Sequence, residues 1–186
     1  GAMMSSSKAA VSRGESGFTL IDMLFVIALI GLLSTLAIPG LMRARGAAQS
    51  ASALGSMKVI NSAQLSFAIT CGVGFYSPEL QTLGVKPPAA IEAFLPPEMT
   101  TTPTFIKSGY NFSLAGVGIP GAPASCNGLP AGAASSGYAL VADPLDTNPP
   151  ARYFGTNADA TIFEDAASFW ATMPETGAPP SGAPIK

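Results

Sequence analysis

Twenty consecutive residues, Met23 to Met42, read MLFVIALIGLLSTLAIPGLM and carry no charge. As a helix at about 1.5 Å per residue the run measures about 30 Å, the thickness of a bilayer's hydrocarbon core. One acid, Asp22, stands at its mouth, and the next charge is Arg43. A carboxylate beside such a run is costly in lipid and reads as functional. A plain signal anchor with an incidental acid at its interfacial end is the simpler alternative.

Beyond Met42 the chain changes character. It becomes rich in Gly, Pro, Ala, Ser and Thr, and only 11% of all residues are charged, against about 25% in ordinary soluble domains. A surface poor in charge suits packing against copies of itself or an extracellular setting, although compositional bias gives the same picture. The net charge of −2 offers no bulk attraction for nucleic acid. Histidine is absent, so Ser/His/Asp and Cys/His arrangements cannot form. Gly116-Val117-Gly118 lacks the helix and lysine of a phosphate cradle. The expectation is a chain that is not an enzyme and needs no cofactor. Cys71 and Cys126 both follow the apolar run; if that part is exported, a disulfide between them is expected, and two unpaired thiols are the alternative.

Residues 1–17 are short, polar and basic through Lys8 and Arg13, with Gly1-Ala2-Met3 resembling a scar of tag removal. A secretory signal is cut after its apolar region, whereas the candidate cleavage residue here, Gly17, precedes it. Lys8 and Arg13 favour a cytoplasmic leader and Arg43 and Arg45 oppose it, so the charge rule is nearly balanced.

Gly17-Phe18-Thr19-Leu20-Ile21, the acid Asp22, the apolar run, and Pro39 followed by Arg43 together resemble the N-terminus of class III signal peptides. These belong to type IV pilins and to the pseudopilins of type II secretion. The similarity covers about 30 residues, and one position departs from it: the family's acid is usually Glu. The resemblance implies cleavage between Gly17 and Phe18 by a prepilin peptidase and N-methylation of Phe18. It implies that Asp22 neutralises the amino terminus of a neighbouring subunit and sets axial register in a homo-oligomeric filament. It implies inner-membrane assembly machinery as a partner, a lipid bilayer before assembly, and a final extracellular or periplasm-spanning filament. It implies further that the segment between Gly31 and Pro39 can lose helical structure there. On physical grounds Gly31 and Pro39 both weaken a helix, and a buried carboxylate needs a paired cation.

Residues 43–72 are rich in alanine and free of proline, so the helix is expected to continue to Thr70, its second part burying a stripe through Leu54, Met57, Ile60, Ala63, Leu65 and Ala68 against a sheet. Cys71-Gly72-Val73-Gly74 should end it. Six prolines make residues 75–108 irregular apart from a turn over Glu79–Leu83. Strands are expected at 110–114, 138–142, 152–156 and 161–164, with a hairpin turn at Asn157–Ala160. Residues 164–173 suggest a helix anchored by Phe169 and Trp170, and 174–186 a flexible, disordered tail. The architecture is thus α+β: residues 18–42 in membrane or filament core, an amphipathic 43–72, and a head over 73–173 with a small antiparallel sheet of about four strands. Asp143, Asp146, Asp159, Glu164 and Asp165 could offer oxygens to a metal, but ordinary turn chemistry around Pro144, Pro149 and Pro150 is preferred. The expected role is a pilin, with a type II secretion pseudopilin and a signal-anchored exported binding domain as alternatives.

Overall fold

The computed structural model describes residues 17–148 and 151–185; the expected leader other than Gly17 lies outside them, as do Pro149, Pro150 and Lys186. One helix, α1 (Leu20–Thr70), is followed by a short helix α2 (Leu80–Leu83) and a 3-10 turn at Pro97–Met99. Six strands complete the chain: β1 (Thr104–Lys107), β2 (Tyr110–Ala115), β3 (Ala139–Pro144), β4 (Tyr153–Asn157), β5 (Ile162–Asp165) and β6 (Ala183–Pro184). Internal contacts divide the chain into two units, Gly1–Ala44 and Arg45–Lys186.

In the first unit α1 is unbroken through Gly31 and Pro39. The large apolar side chains from Leu20 to Met42 are all exposed. Ser34 and Thr35 donate their hydroxyls to the carbonyls of Ile30 and Leu32, at 2.7 Å each, so neither presents an unmet donor within the apolar run.

In the second unit the strands form one antiparallel meander in the order β1-β2-β3-β4-β5-β6. Ala53, Met57, Ile60 and Phe67 of α1 recur at helical spacing and are buried with Phe112, Leu114, Leu140, Ala142 and Phe154 of the sheet. The expected stripe is only partly met, because Leu65 is exposed. Alternation along β3 sends Val141 to the opposite face, where it joins Phe163, Phe169 and Met173 in a second cluster. A Cβ at Gly155 would run into the side chains of Met173 and Phe169.

Four expectations need correction. The sheet has six strands, not about four. Strand β1 lies inside the stretch read as irregular, held by the two-residue hairpin Ser108-Gly109, whose φ values of 51° and 81° suit such a turn. Residues 164–173 do not form a helix. Glu164 and Asp165 belong to β5, Asp165 accepts a bond from the Ala166 amide at 2.7 Å, and Ser168 caps the Trp170 amide at 3.2 Å. These local bonds compete with helical ones; only a single turn survives, in which Met173 N donates to Phe169 O at 2.8 Å. Phe169 is the buried anchor foreseen, whereas Trp170 is exposed. Finally, the expected disordered tail contributes β6, pairing Glu164 with Ala183, and Ile185 N donates to Ile162 O at 2.8 Å.

Candidate functional site

The first unit presents the residues that the resemblance singles out. Helix α1 begins at Leu20, three residues after Gly17, and Thr19 caps it. The Asp22 and Met23 amides donate to the Thr19 carbonyl at 3.1 and 3.4 Å. The Thr19 amide and hydroxyl both donate to Asp22 Oδ2, at 3.1 and 2.6 Å, and the Asp22 amide donates to Thr19 Oγ1 at 3.3 Å. This is a reciprocal capping box, with Asp in the place usually taken by Glu or Gln. Threonine followed three residues later by an acid is its sequence signal, so the role of Thr19 is legible in the sequence. All the described bonds to this carboxylate fall on Oδ2. Gly17, Phe18, Asp22, Phe25 and Val26 line an open concavity of about 430 Å³, and Phe18 is 78% exposed. Cleavage between Gly17 and Phe18 would cut just outside the helix cap.

The second unit is braced by the disulfide Cys71–Cys126, whose Cα atoms lie 4.9 Å apart and which closes 55 residues of sequence. It ties the end of α1 to the 116–136 loop, and the Cys126 amide also donates to the Cys71 carbonyl at 3.1 Å. The helix terminates by giving left-handed backbone to Val73 (φ 52°) and Gly74 (φ 89°).

The candidate metal ligands are not brought together, and among the described residues no cluster of three His, Cys, Asp or Glu side chains forms. Asp143 accepts from Ser168 Oγ at 2.8 Å, Asp146 from the Asn148 amide at 3.0 Å, and Asp159 from the Gly177 amide at 2.7 Å. Glu164 is engaged by the Arg152 guanidinium through Nε and Nη2, which also lies 5.3 Å from the Phe154 ring centre. The bond from Arg152 holds the Glu164 carboxyl below the usual carboxylate range. Burial pushes Asp143 upward, partly offset by Ser168, and its Oδ1 is buried without a partner.

Between helix and sheet, buried Asn61 accepts from the Tyr138 hydroxyl at 3.0 Å and donates to Thr156 Oγ1 at 3.2 Å. Burial raises the Tyr138 pKa, so this hydroxyl remains a donor. These groups satisfy one another and serve the fold.

Compared with models of protein families, with characterised proteins and with solved structures, the chain matches none of them.

Proposed function

We propose that this chain is a prepilin-type structural subunit, with no catalytic turnover of its own. A prepilin peptidase removes the leader after Gly17 and methylates Phe18. The apolar part of α1 stores the subunit in the inner membrane and then packs among copies of itself in a filament, where its side chains stay out of water. Asp22 pairs with the Phe18 amine of a neighbouring subunit and sets the register. Gly31 and Pro39 let the helix yield as it leaves the bilayer.

The observation that carries this reading is the coincidence, within one short stretch, of Gly17-Phe18, an acid four residues beyond Phe18, and twenty uncharged residues containing Pro39. Two features of the structure support it. The apolar window of α1 has none of its residues buried within the chain, so it requires lipid or protein around it. The following unit has its own hydrophobic core and a disulfide suited to an oxidising compartment. The type IV pilus is preferred over a secretion pseudopilus because the disulfide Cys71–Cys126 would brace an exposed head. Imaging at native expression separates the two: a pilus gives long surface filaments. Asp22→Ala tests the mechanism. Loss of filaments with the subunit still processed and membrane-bound is expected; normal filaments would remove the register role.

A further inference from the structure

Asn127-Gly128 is the one Asn-Gly pair in the chain. It follows the disulfide residue Cys126 directly, within the 116–136 loop. The half-buried Asn127 side chain donates through Nδ2 to two carbonyls at and just beyond the end of α2, Thr82 O at 2.8 Å and Val85 O at 3.1 Å. Only an NH2 group can serve two carbonyls, so they fix which way the amide points. Its Oδ1 accepts from the Ser125 hydroxyl at 2.6 Å. The Leu129 amide donates to the same Ser125 Oγ at 3.0 Å, which leaves the hydroxyl proton aimed at Asn127.

These contacts clamp the loop to α2, and they also assemble the parts of an intramolecular acyl transfer. The electrophile is Asn127 Cγ, whose oxygen already meets a donor where negative charge would develop. The nucleophile is the Gly128 backbone nitrogen, tethered covalently to its target. Gly128 is exposed, and its amide makes only a long bond, 3.4 Å, to Ser125 O. Nothing lies within 4 Å of where a Cβ would stand, and a φ of 101° reserves the position for glycine. Hydroxide can therefore reach this N–H, and no side chain shields the nitrogen.

We infer that Asn127 is a self-modification site, which deamidates in the folded protein and thereby releases the loop from α2. Hydroxide takes the Gly128 amide proton, and the nitrogen bonds to Asn127 Cγ. The Cγ–Nδ2 bond then breaks, and Nδ2 leaves as ammonia with a proton from water. A cyclic succinimide remains. Water opens it at either carbonyl, giving aspartate or isoaspartate at position 127. Nothing is oxidised or reduced. The product carboxylate has no proton to give, so the bonds to Thr82 O and Val85 O are both lost, and a negative charge is set against two carbonyl dipoles.

The test uses the full disulfide-bonded chain in detergent, aged in mildly alkaline buffer and sampled by mass spectrometry. Fragment spectra should place a gain of about 1 Da at position 127, with an isoaspartate form separable by retention time, before any change at Asn61, Asn111, Asn148 or Asn157. Ser125→Ala should slow the conversion severalfold. The converted protein should exchange its backbone amides faster over residues 80–85, and Asn127→Asp should reproduce that change with a lowered melting temperature. A position 127 that stays unmodified in the folded chain overturns the inference; conversion only in urea would make the clamp protective instead. Conversion in Ser125→Ala that matches or outpaces the wild type overturns the folded-state mechanism. Unchanged exchange over residues 80–85 after conversion overturns the release.

Discussion

The backbone of Ser77 is bonded on both its amide and its carbonyl by a single side chain, that of Gln64. Gln64 Nε2 donates to Ser77 O at 2.8 Å, and Ser77 N donates to Gln64 Oε1 at 2.9 Å. Both residues are fully buried. The pair takes the place of a strand neighbour for a chain segment that has just left α1, and thereby docks the irregular 75–78 stretch on the helix.

Gln64→Leu keeps much of the volume but leaves two buried backbone groups unpaired. At about 1–3 kcal/mol for each unsatisfied group, it should destabilise the second unit by roughly 2–6 kcal/mol, read as a lowered urea midpoint with unchanged slope. A change below about 0.5 kcal/mol would mean that water substitutes readily at Ser77.

Replacing Cys71 and Cys126 by serine should cost about 4 kcal/mol, the chain-entropy value for a closed loop of this size. Thermal melts of oxidised wild type and the double variant provide the comparison. The same destabilisation should appear when the wild type is reduced.

Val73 occupies a left-handed backbone conformation that a β-branched residue rarely adopts. Val73→Gly should relieve that strain and stabilise the second unit by about 1 kcal/mol, raising its melting temperature by a few degrees. Val73 is largely exposed, so little packing is lost in exchange. A lowered melting temperature would show that glycine's extra freedom in the unfolded chain outweighs the strain.

Two carboxylates give opposite pH dependences. Asp143 is shifted upward by burial, so its contribution is complete below the ordinary carboxylate value and is lost as pH rises through its native value. Glu164 is shifted downward by Arg152, so its contribution is present above its ordinary value and is lost as pH falls through its native value. Asp143→Asn should therefore gain on the wild type as pH climbs from 3 to 7. Glu164→Gln should lose ground over the same range. Urea titrations at stepped pH check both slopes.

Long-range features with strong local signals could be read directly. A proline-free, alanine-rich segment from Leu41 to Thr70 was enough to extend α1 to its observed end. The alternation in Tyr110–Leu114 and the brackets around residues 138–142 located β2 and β3. Strand β1 was hidden because Pro103 and five earlier prolines made its neighbourhood look irregular. The Ser108-Gly109 pair, standing between TFIK and YNF, was the overlooked hairpin cue. Strand β6 has no local signal at all, since two residues ending in a proline become a strand only through β5. Phe169 and Trp170 are adjacent aromatics, and tertiary packing against Gly155 and Gly182 accompanies the burial of Phe169. At the candidate site Asp22 is one methylene shorter than the Glu that the resemblance leads one to expect. The structure adds a local partner for that short side chain in Thr19.

The capping box itself can be separated from assembly. Thr19→Ala removes the hydroxyl that meets Asp22 Oδ2 and should weaken the helix start by about 1 kcal/mol. In the filament reading it should lower subunit incorporation less than Asp22→Ala does, because the carboxylate is still present. Quantifying sheared filaments for both variants checks the ranking. Equal defects would mean that Asp22 acts chiefly through the cap.

We propose that this chain is processed at Gly17 and assembles through the helix end so created. N-terminal sequencing and intact mass of the protein recovered from its own cells test it most directly. The mature chain should begin at N-methylated Phe18. A chain that retains the leader through Gly17, in cells with an active prepilin peptidase, would contradict it.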